Sequence, residues 1–174
     1  MSFRFRPKDN DWLMSDKILD EADREILANV KPSSKFDVPY VAGYSRDGKK
    51  FYIDHKLPKG FEHGGRAFVV ATTLILHEVV EKAIEDEEAG IPYQLAHQIA
   101  LRAERAAVEA AKMPWEIYNR WFDKQVSEIG SRDTYDNCPP DLDLQPYLDE
   151  HDWATLKKMY HNGKPLWDGK KPAK

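Results

Sequence analysis

One stretch of the sequence combines a histidine and several carboxylates with the spacing of a buried helix. It is LILHEVVEKAIEDE, residues 74–87. Residues four apart lie on one face of an α-helix, so His77 and Glu81 share a face, and Glu78 lies on its flank. Imidazole and carboxylate groups are natural ligands of divalent cations. The other residues of this face form an apolar stripe that predicts burial: Val70, Thr73, Leu74, Val80 and Ile84.

A second predicted helix, YQLAHQIALRAERAAVEAAKM, carries the same two residue types. His97 and Glu104 both lie in its apolar stripe. Two antiparallel helices joined by a short loop pack through their apolar stripes, which would bury two histidines and two glutamates together. Burying such groups unpaired costs several kcal/mol each. They are therefore expected to pair with one another or to share a metal ion.

The metal interpretation gives each residue a role. His77, Glu81 and His97 would bind a divalent cation and leave a position open for water. Glu78 would act as the general base that takes a proton from this water. Glu104 would be either a fourth ligand or the carboxylate that orients a ligand histidine.

The same residues also fit a purely structural cluster that holds the helices together. In that arrangement His77 pairs with Glu104, and His97 pairs with Glu81. A basic side chain could join the pairs, either Arg66 or Lys82. The protein would then be a non-enzymatic interaction protein.

HEVVE after a predicted β-hairpin, with a further candidate ligand on the next helix, resembles the core of the zincin metallopeptidases. The signature of that family is His-Glu-x-x-His followed by a downstream ligand. The resemblance implies His77 as first ligand, Glu78 as base, and His97 or Glu104 as downstream ligand. The family favours zinc, and Glu81, which stands in place of the second histidine, makes manganese, iron or no metal possible as well. A peptide or protein substrate is implied.

The order of predicted elements is that of an α+β protein. A helix at about 16–30 is followed by strands at about 38–44 and 50–55, joined by a turn at Asp47-Gly48. The glycine-bearing segment KGFEHGGRA is predicted to be a loop, and helices are predicted at about 67–87, 93–113 and from Trp115 onward. Asp54 and His55, which end the second strand, could also point at the His/Glu site. The layout is similar to that of small phage- and prophage-encoded proteins, a likeness that implies no activity.

Residues 1–130 are predicted to form the core domain with an N-terminal arm. Residues 131–174 form an acidic, proline-containing appendage with a short helix near 152–160, packed on this core. The net charge of -4 and scattered basic residues argue against a nucleic-acid partner. The absence of a signal-like or membrane-length apolar segment predicts a cytoplasmic protein without a membrane partner. An unpaired hairpin edge could align an extended peptide substrate by strand addition.

Overall fold

The computed structural model describes residues 31–87 and 91–170, with side chains at 31–85 and 91–170. The predicted N-terminal arm and the predicted helix at 16–30 lie outside the described residues. Five strands are followed by five helices and a final pair of short strands in this part of the chain, which confirms the α+β class. The helices are α1 (Ala71–Glu87), α2 (Tyr93–Ala110), α3 (Trp115–Gly130), α4 (Gln145–Asp149) and α5 (Trp153–Leu156). The strands are β1 (Ser33–Phe36), β2 (Ala42–Tyr44), β3 (Phe51–Asp54), β4 (Gly60–His63), β5 (Arg66–Val69), β6 (Tyr160–His161) and β7 (Lys164–Pro165).

The predicted hairpin forms two strands of a three-stranded sheet. Its strand order is β1-β3-β2, with β2 antiparallel and β1 parallel to β3. Gly48 has a φ of 66°, and the Ser45 N–H donates to Lys50 O across the turn. The hairpin prediction is confirmed, although both strands are shorter than predicted. β1 was not predicted.

The prediction of a loop at 59–67 followed directly by a helix from residue 67 is wrong. β4 and β5 form an antiparallel hairpin here, which delays the start of α1 to Ala71. Gly64 and Gly65 make the turn with φ values of 58° and 75°. Both values are positive, as a two-residue hairpin turn of this kind requires. The Gly-Gly pair was the available signal for this hairpin.

α2 and α3 follow the predicted helices closely. α2 ends at Ala110, three residues before the predicted end at 113. Lys112 adopts a left-handed φ of 61°, and the Met113 N–H donates back to Val108 O, which closes the helix end. α3 begins directly after Pro114. Within residues 31–87 and 91–170, no helix is long and apolar enough to cross a membrane.

The central sheet separates two apolar clusters. Side chains alternate along β3, so Phe51 and Ile53 join the cluster formed with α1, α2 and α3, whereas Tyr52 joins the other. The second cluster consists mainly of residues from the C-terminal segment, including Tyr135, Cys138, Leu142, Tyr147, Leu156 and Met159. The C-terminal segment therefore packs on the face of the sheet opposite the long helices.

Candidate functional site

Three potential ligand atoms from α1 and α2 meet in a small triangle. His77 Nε2 lies 3.1 Å from His97 Nδ1, and Glu81 Oε2 lies 2.8 Å from His97 Nδ1 and 3.4 Å from His77 Nε2. Ligand atoms held at about 2.0–2.1 Å from a tetrahedral or octahedral cation are separated by about 2.9–3.4 Å. The spacing is thus close to that of a coordination sphere, and the His/Glu/His cluster could hold a metal ion.

The helices position this triangle with one closed side and one open side. His77 and Glu81 lie one turn apart on the buried face of α1, and α2 packs against that face with His97 opposite them. His77 and Glu81 are 6% and 3% exposed, whereas the His97 side chain is 39% exposed. Access to the triangle is therefore from the His97 side.

Glu104 lies on the far side of the His77 ring from the triangle. Its Oε2 is 2.9 Å from His77 Nδ1, and the Tyr118 hydroxyl donates a short hydrogen bond to its Oε1. The Tyr118 hydroxyl also lies 3.3 Å from Thr73 Oγ1. A ligand histidine commonly donates its second ring N–H to such a carboxylate, which fixes the ring and its tautomer. Glu104 thus occupies the orienting position rather than a place among the three ligand atoms.

Tyr44 on β2 provides a comparable contact for Glu81. The Tyr44 hydroxyl lies 3.0 Å from Glu81 Oε1 and 2.9 Å from Glu85 Oε2. Burial raises the pKa of Glu85 to about 7, although the Tyr44 contact acts in the opposite direction. Because a phenol has a single proton, a protonated Glu85 can donate to Tyr44 while Tyr44 donates to Glu81. This arrangement leaves Oε2 of Glu81 facing the two histidines.

Glu78 is buried beside the triangle without a partner. It is 8% exposed and lines the same cavity, and its carboxyl group makes no hydrogen bond within the described residues. Burial, followed by repulsion from Glu81, raises the pKa of Glu78 to about 8. A carboxyl group with this pKa can accept and release a proton near neutral pH.

The protonation of His77 reflects two opposed influences. Burial lowers the pKa of His77, but hydrogen bonds to Glu104 and Glu81 outweigh burial and raise it to about 10. In the absence of an ion, His77 is therefore an imidazolium held between two carboxylates. A metal ion would have to displace the proton on Nε2.

A cavity of about 440 Å³ opens onto the triangle. Its walls come from β2, α1, α2, α3 and the C-terminal segment, which contributes Leu142, Asp143, Pro146, Tyr147 and Glu150. The Asp143 N–H donates to Tyr44 O, and Lys82 Nζ lies 3.2 Å from the Asp143 carboxylate. The C-terminal segment is thus attached to the edge of β2 and forms part of the cavity itself.

A second group of potential ligands, Asp37, Asp54 and His55, also lies close together. Arg132 occupies this group: its Nη1 is 2.9 Å from Asp37 Oδ1, and its Nη2 donates to Asp54 Oδ1. The expectation that Asp54 or His55 could reach the His/Glu site is wrong, because both side chains contact the Arg132 group instead.

Sequence reasoning did not find Tyr44, Tyr118 or the C-terminal wall as parts of this site. Arg66, which was considered as a partner for the cluster, is exposed on β5, and Lys82 pairs with Asp143. No protein-family model, curated protein or solved structure matches the chain.

Proposed function

We propose that this protein is a metal-dependent hydrolase of the zincin-like type that cleaves peptide bonds. The observation that carries the proposal is the triangle of His77, Glu81 and His97 beside the buried, unpartnered carboxyl of Glu78. All four residues line one cavity. Zinc is the favoured ion, and manganese or iron is compatible with the same ligands.

The donor set supports a catalytic rather than a purely structural ion. Two imidazoles and one carboxylate are a ligand set of catalytic zinc in metallopeptidases. Glu81 occupies the position of the second signature histidine, and His97 restores the second imidazole from the next helix. Three protein ligands with an accessible side at His97 leave room for water and substrate.

The residues around the triangle have different roles in the proposed hydrolysis. When bound, the ion would supply Lewis acidity that lowers the pKa of water in the cavity. Glu78 is placed to take a proton from this water and later to deliver it to the leaving amine. Glu104 and Tyr44 hold His77 and Glu81 in place from behind.

The edge of β2 supports a peptide as the substrate. Ser45 N–H donates to Lys50 O and Asp54 N–H to Val41 O, so the alternating pattern turns the backbone groups of Ala42 and Tyr44 outward. The Asp143 N–H donates to Tyr44 O, so only part of this edge lacks a hydrogen-bond partner. The Ala42 end lines the cavity, although Ala42 is only 5% exposed, and in this proposal its outward backbone groups bind an extended peptide.

Metal analysis combined with Glu78→Gln tests this proposal. Protein purified without chelator should contain about one zinc per chain, and His77→Ala and His97→Ala should lose it. Glu78→Gln should keep the metal and lose peptide hydrolysis by about 10²–10⁴-fold. Glu109→Gln changes an exposed carboxylate of α2 paired with Arg105, so it serves as the matched control and should keep full activity.

The alternative function is that of an interaction protein whose cluster is structural. The contacts His77–Glu104 at 2.9 Å and His97–Glu81 at 2.8 Å favour it, since they give each histidine a carboxylate partner within the protein. Under this alternative the purified protein contains no stoichiometric metal, and chelation leaves its melting temperature unchanged. The histidine variants would then only be less stable.

A further inference from the structure

The cavity at the His/Glu site is lined by carboxylates and, among the described residues, by no lysine or arginine. Six acidic residues contribute to its walls: Glu78, Glu81, Glu104, Asp123, Asp143 and Glu150. Lys82 offsets Asp143 from outside the lining. Low-dielectric walls of one sign concentrate the electrostatic field inside a cleft. The cavity is therefore built to attract positive charge.

A bound divalent ion does not cancel this charge. An ion of charge +2 balances two of the carboxylates beside the triangle, those of Glu81 and Glu104. Asp123 and Glu150, which are exposed residues of the lining, still contribute two negative charges. The cavity stays negative after the proposed ion is in place.

Glu78 is a second feature of the cavity that points to a ligand. It is 8% exposed, lines the cavity, and makes no hydrogen bond within the described residues. A buried carboxylate is normally paired, because desolvation without a partner is costly. An arriving ligand with N–H donors would meet this requirement.

The apolar part of the lining also suits a cation. Tyr40 and Tyr147 stack with ring centroids 4.1 Å apart, and Tyr93 and Phe122 line the cavity with them. Aromatic faces attract ammonium and guanidinium groups. Phosphate esters and terminal carboxylates are instead bound by arginine or lysine, which this lining does not provide.

We infer that the substrate carries an ammonium or guanidinium group close to the bond that is cleaved. This inference rests on the proposed hydrolase function for the cleavage itself, whereas recognition of the cation depends only on the cavity. The charge could come from a basic side chain or from a free N-terminal amine. Both present the same donor chemistry to the carboxylates.

Fluorogenic peptides test the preference in the zinc-loaded protein. The peptides carry arginine, the neutral isostere citrulline, or glutamate next to the central bond, each with a free or an acetylated N-terminus. We expect kcat/KM to be about tenfold higher for arginine than for citrulline, with glutamate lowest. Acetylation of the N-terminus and replacement of arginine by citrulline each remove one positive charge. If acetylation lowers kcat/KM at least as much as the citrulline replacement does, the cavity recognises the N-terminal amine.

One double variant at the cavity mouth and one control outside the cavity separate this preference from catalysis. Asp123→Asn combined with Glu150→Gln should reduce the arginine-to-citrulline ratio by about fivefold, because arginine cleavage falls more than citrulline cleavage. Glu128→Gln is the matched control. Glu128 is an exposed carboxylate on α3, the helix that carries Asp123, and it pairs with Lys124 outside the cavity. It should keep the full ratio.

Binding of benzylamine and benzyl alcohol, followed by NMR, gives a readout that does not require turnover. Benzylamine should bind about tenfold more tightly, and this advantage should fall in the double variant and in high salt. Cleavage of all peptides without charge preference would overturn the inference and leave the hydrolase standing. Selective benzylamine binding without cleavage of any peptide would overturn the hydrolase and support the cation site. Equal binding of the two probes would overturn the cation site.

Discussion

Two clusters in this molecule bring ligand-type side chains equally close, yet they are completed in different ways. In the first, Asp37 and Asp54 hold the guanidinium of Arg132 between them. In the second, Glu81 lies against the imidazoles of His77 and His97. The Arg132 cluster carries its own cation, whereas the His/Glu cluster is built from groups that can exchange protons for a metal ion.

The difference shows that proximity of carboxylates does not identify a metal site. Asp54 is surrounded by fixed donors: Arg132, the Val38 N–H and the Lys56 N–H. Its hydrogen-bonding capacity is thereby used for structure, and the cluster joins the loop after α3 to the sheet. The His/Glu cluster instead borders a cavity and adjoins an unpartnered Glu78.

Removing the guanidinium should produce the largest effect. Arg132→Met leaves two carboxylates without their cation, and we expect the free energy of unfolding to fall by about 3 kcal/mol, the lower end for a broken buried pair. Urea unfolding measures the change. Lys50→Met is the control, because its pair with Asp141 lies at the surface and should contribute little to the free energy of unfolding. Equal losses in the two variants would contradict the structural role of the Arg132 cluster.

Chelation should affect the His/Glu cluster alone. At a free zinc concentration 100 times the dissociation constant, bound zinc stabilises the fold by about 2.7 kcal/mol. Adding a chelator should therefore lower the melting temperature of the wild type and of Arg132→Met by similar amounts. His77→Ala should show no response. A response that persists in His77→Ala would place the ion elsewhere.

Tyr118→Phe should weaken metal binding without removing any ligand. Tyr118 donates to Glu104, which holds His77, and loss of such an outer contact typically lowers metal affinity by about 10–100-fold. Competition with a zinc-binding dye measures the dissociation constant. Tyr135→Phe removes another buried phenol, bonded to Ile129 O, and should leave the zinc affinity unchanged.

The pH dependence of the metal-free protein should be the most gradual of these effects, because it is spread over several pH units. The pKa of His77 is about 10 in the fold and near its ordinary value of 6.5 when unfolded. Its pairing therefore stabilises the fold fully below pH 6.5, and this contribution is lost as the pH rises toward 10. Each titrating proton contributes a slope of at most about 1.4 kcal/mol per pH unit. Glu78, whose pKa in the fold is about 8, adds to the decline up to that pH. Chemical denaturation above pH 8 should therefore show the decline in the wild type and not in His77→Gln.

Local patterns were sufficient to predict the parts of the site that lie on single helices. The helical period placed His77 and Glu81 on one buried face, and the same argument placed His97 and Glu104 on the next helix. Packing of the two apolar stripes then brought His77, Glu81 and His97 together. Asp47-Gly48 likewise identified the β2–β3 hairpin.

Contacts between distant segments have no such local signal. Tyr44 reaches Glu81 from β2, and Tyr118 reaches Glu104 from α3. β1 pairs in parallel with β3, and nothing in SSKF marks this partner. The acidic segment around Asp143 was predicted to pack on the core, but its pairing with β2 has no local signal, because it depends on the folded sheet.

The bond from Tyr52 to Asp141 spans 89 residues and helps to hold the C-terminal wall on the sheet. Contacts of such sequence separation form late, since the intervening chain must first be ordered. On the ribosome, chains emerge at about 5–20 residues per second and fold from the N-terminal side. A nascent chain in which His77 and His97 have already emerged therefore still lacks the C-terminal wall of the cavity. Both the shape and the charge of the cavity are completed only when the segment through Glu150 has emerged.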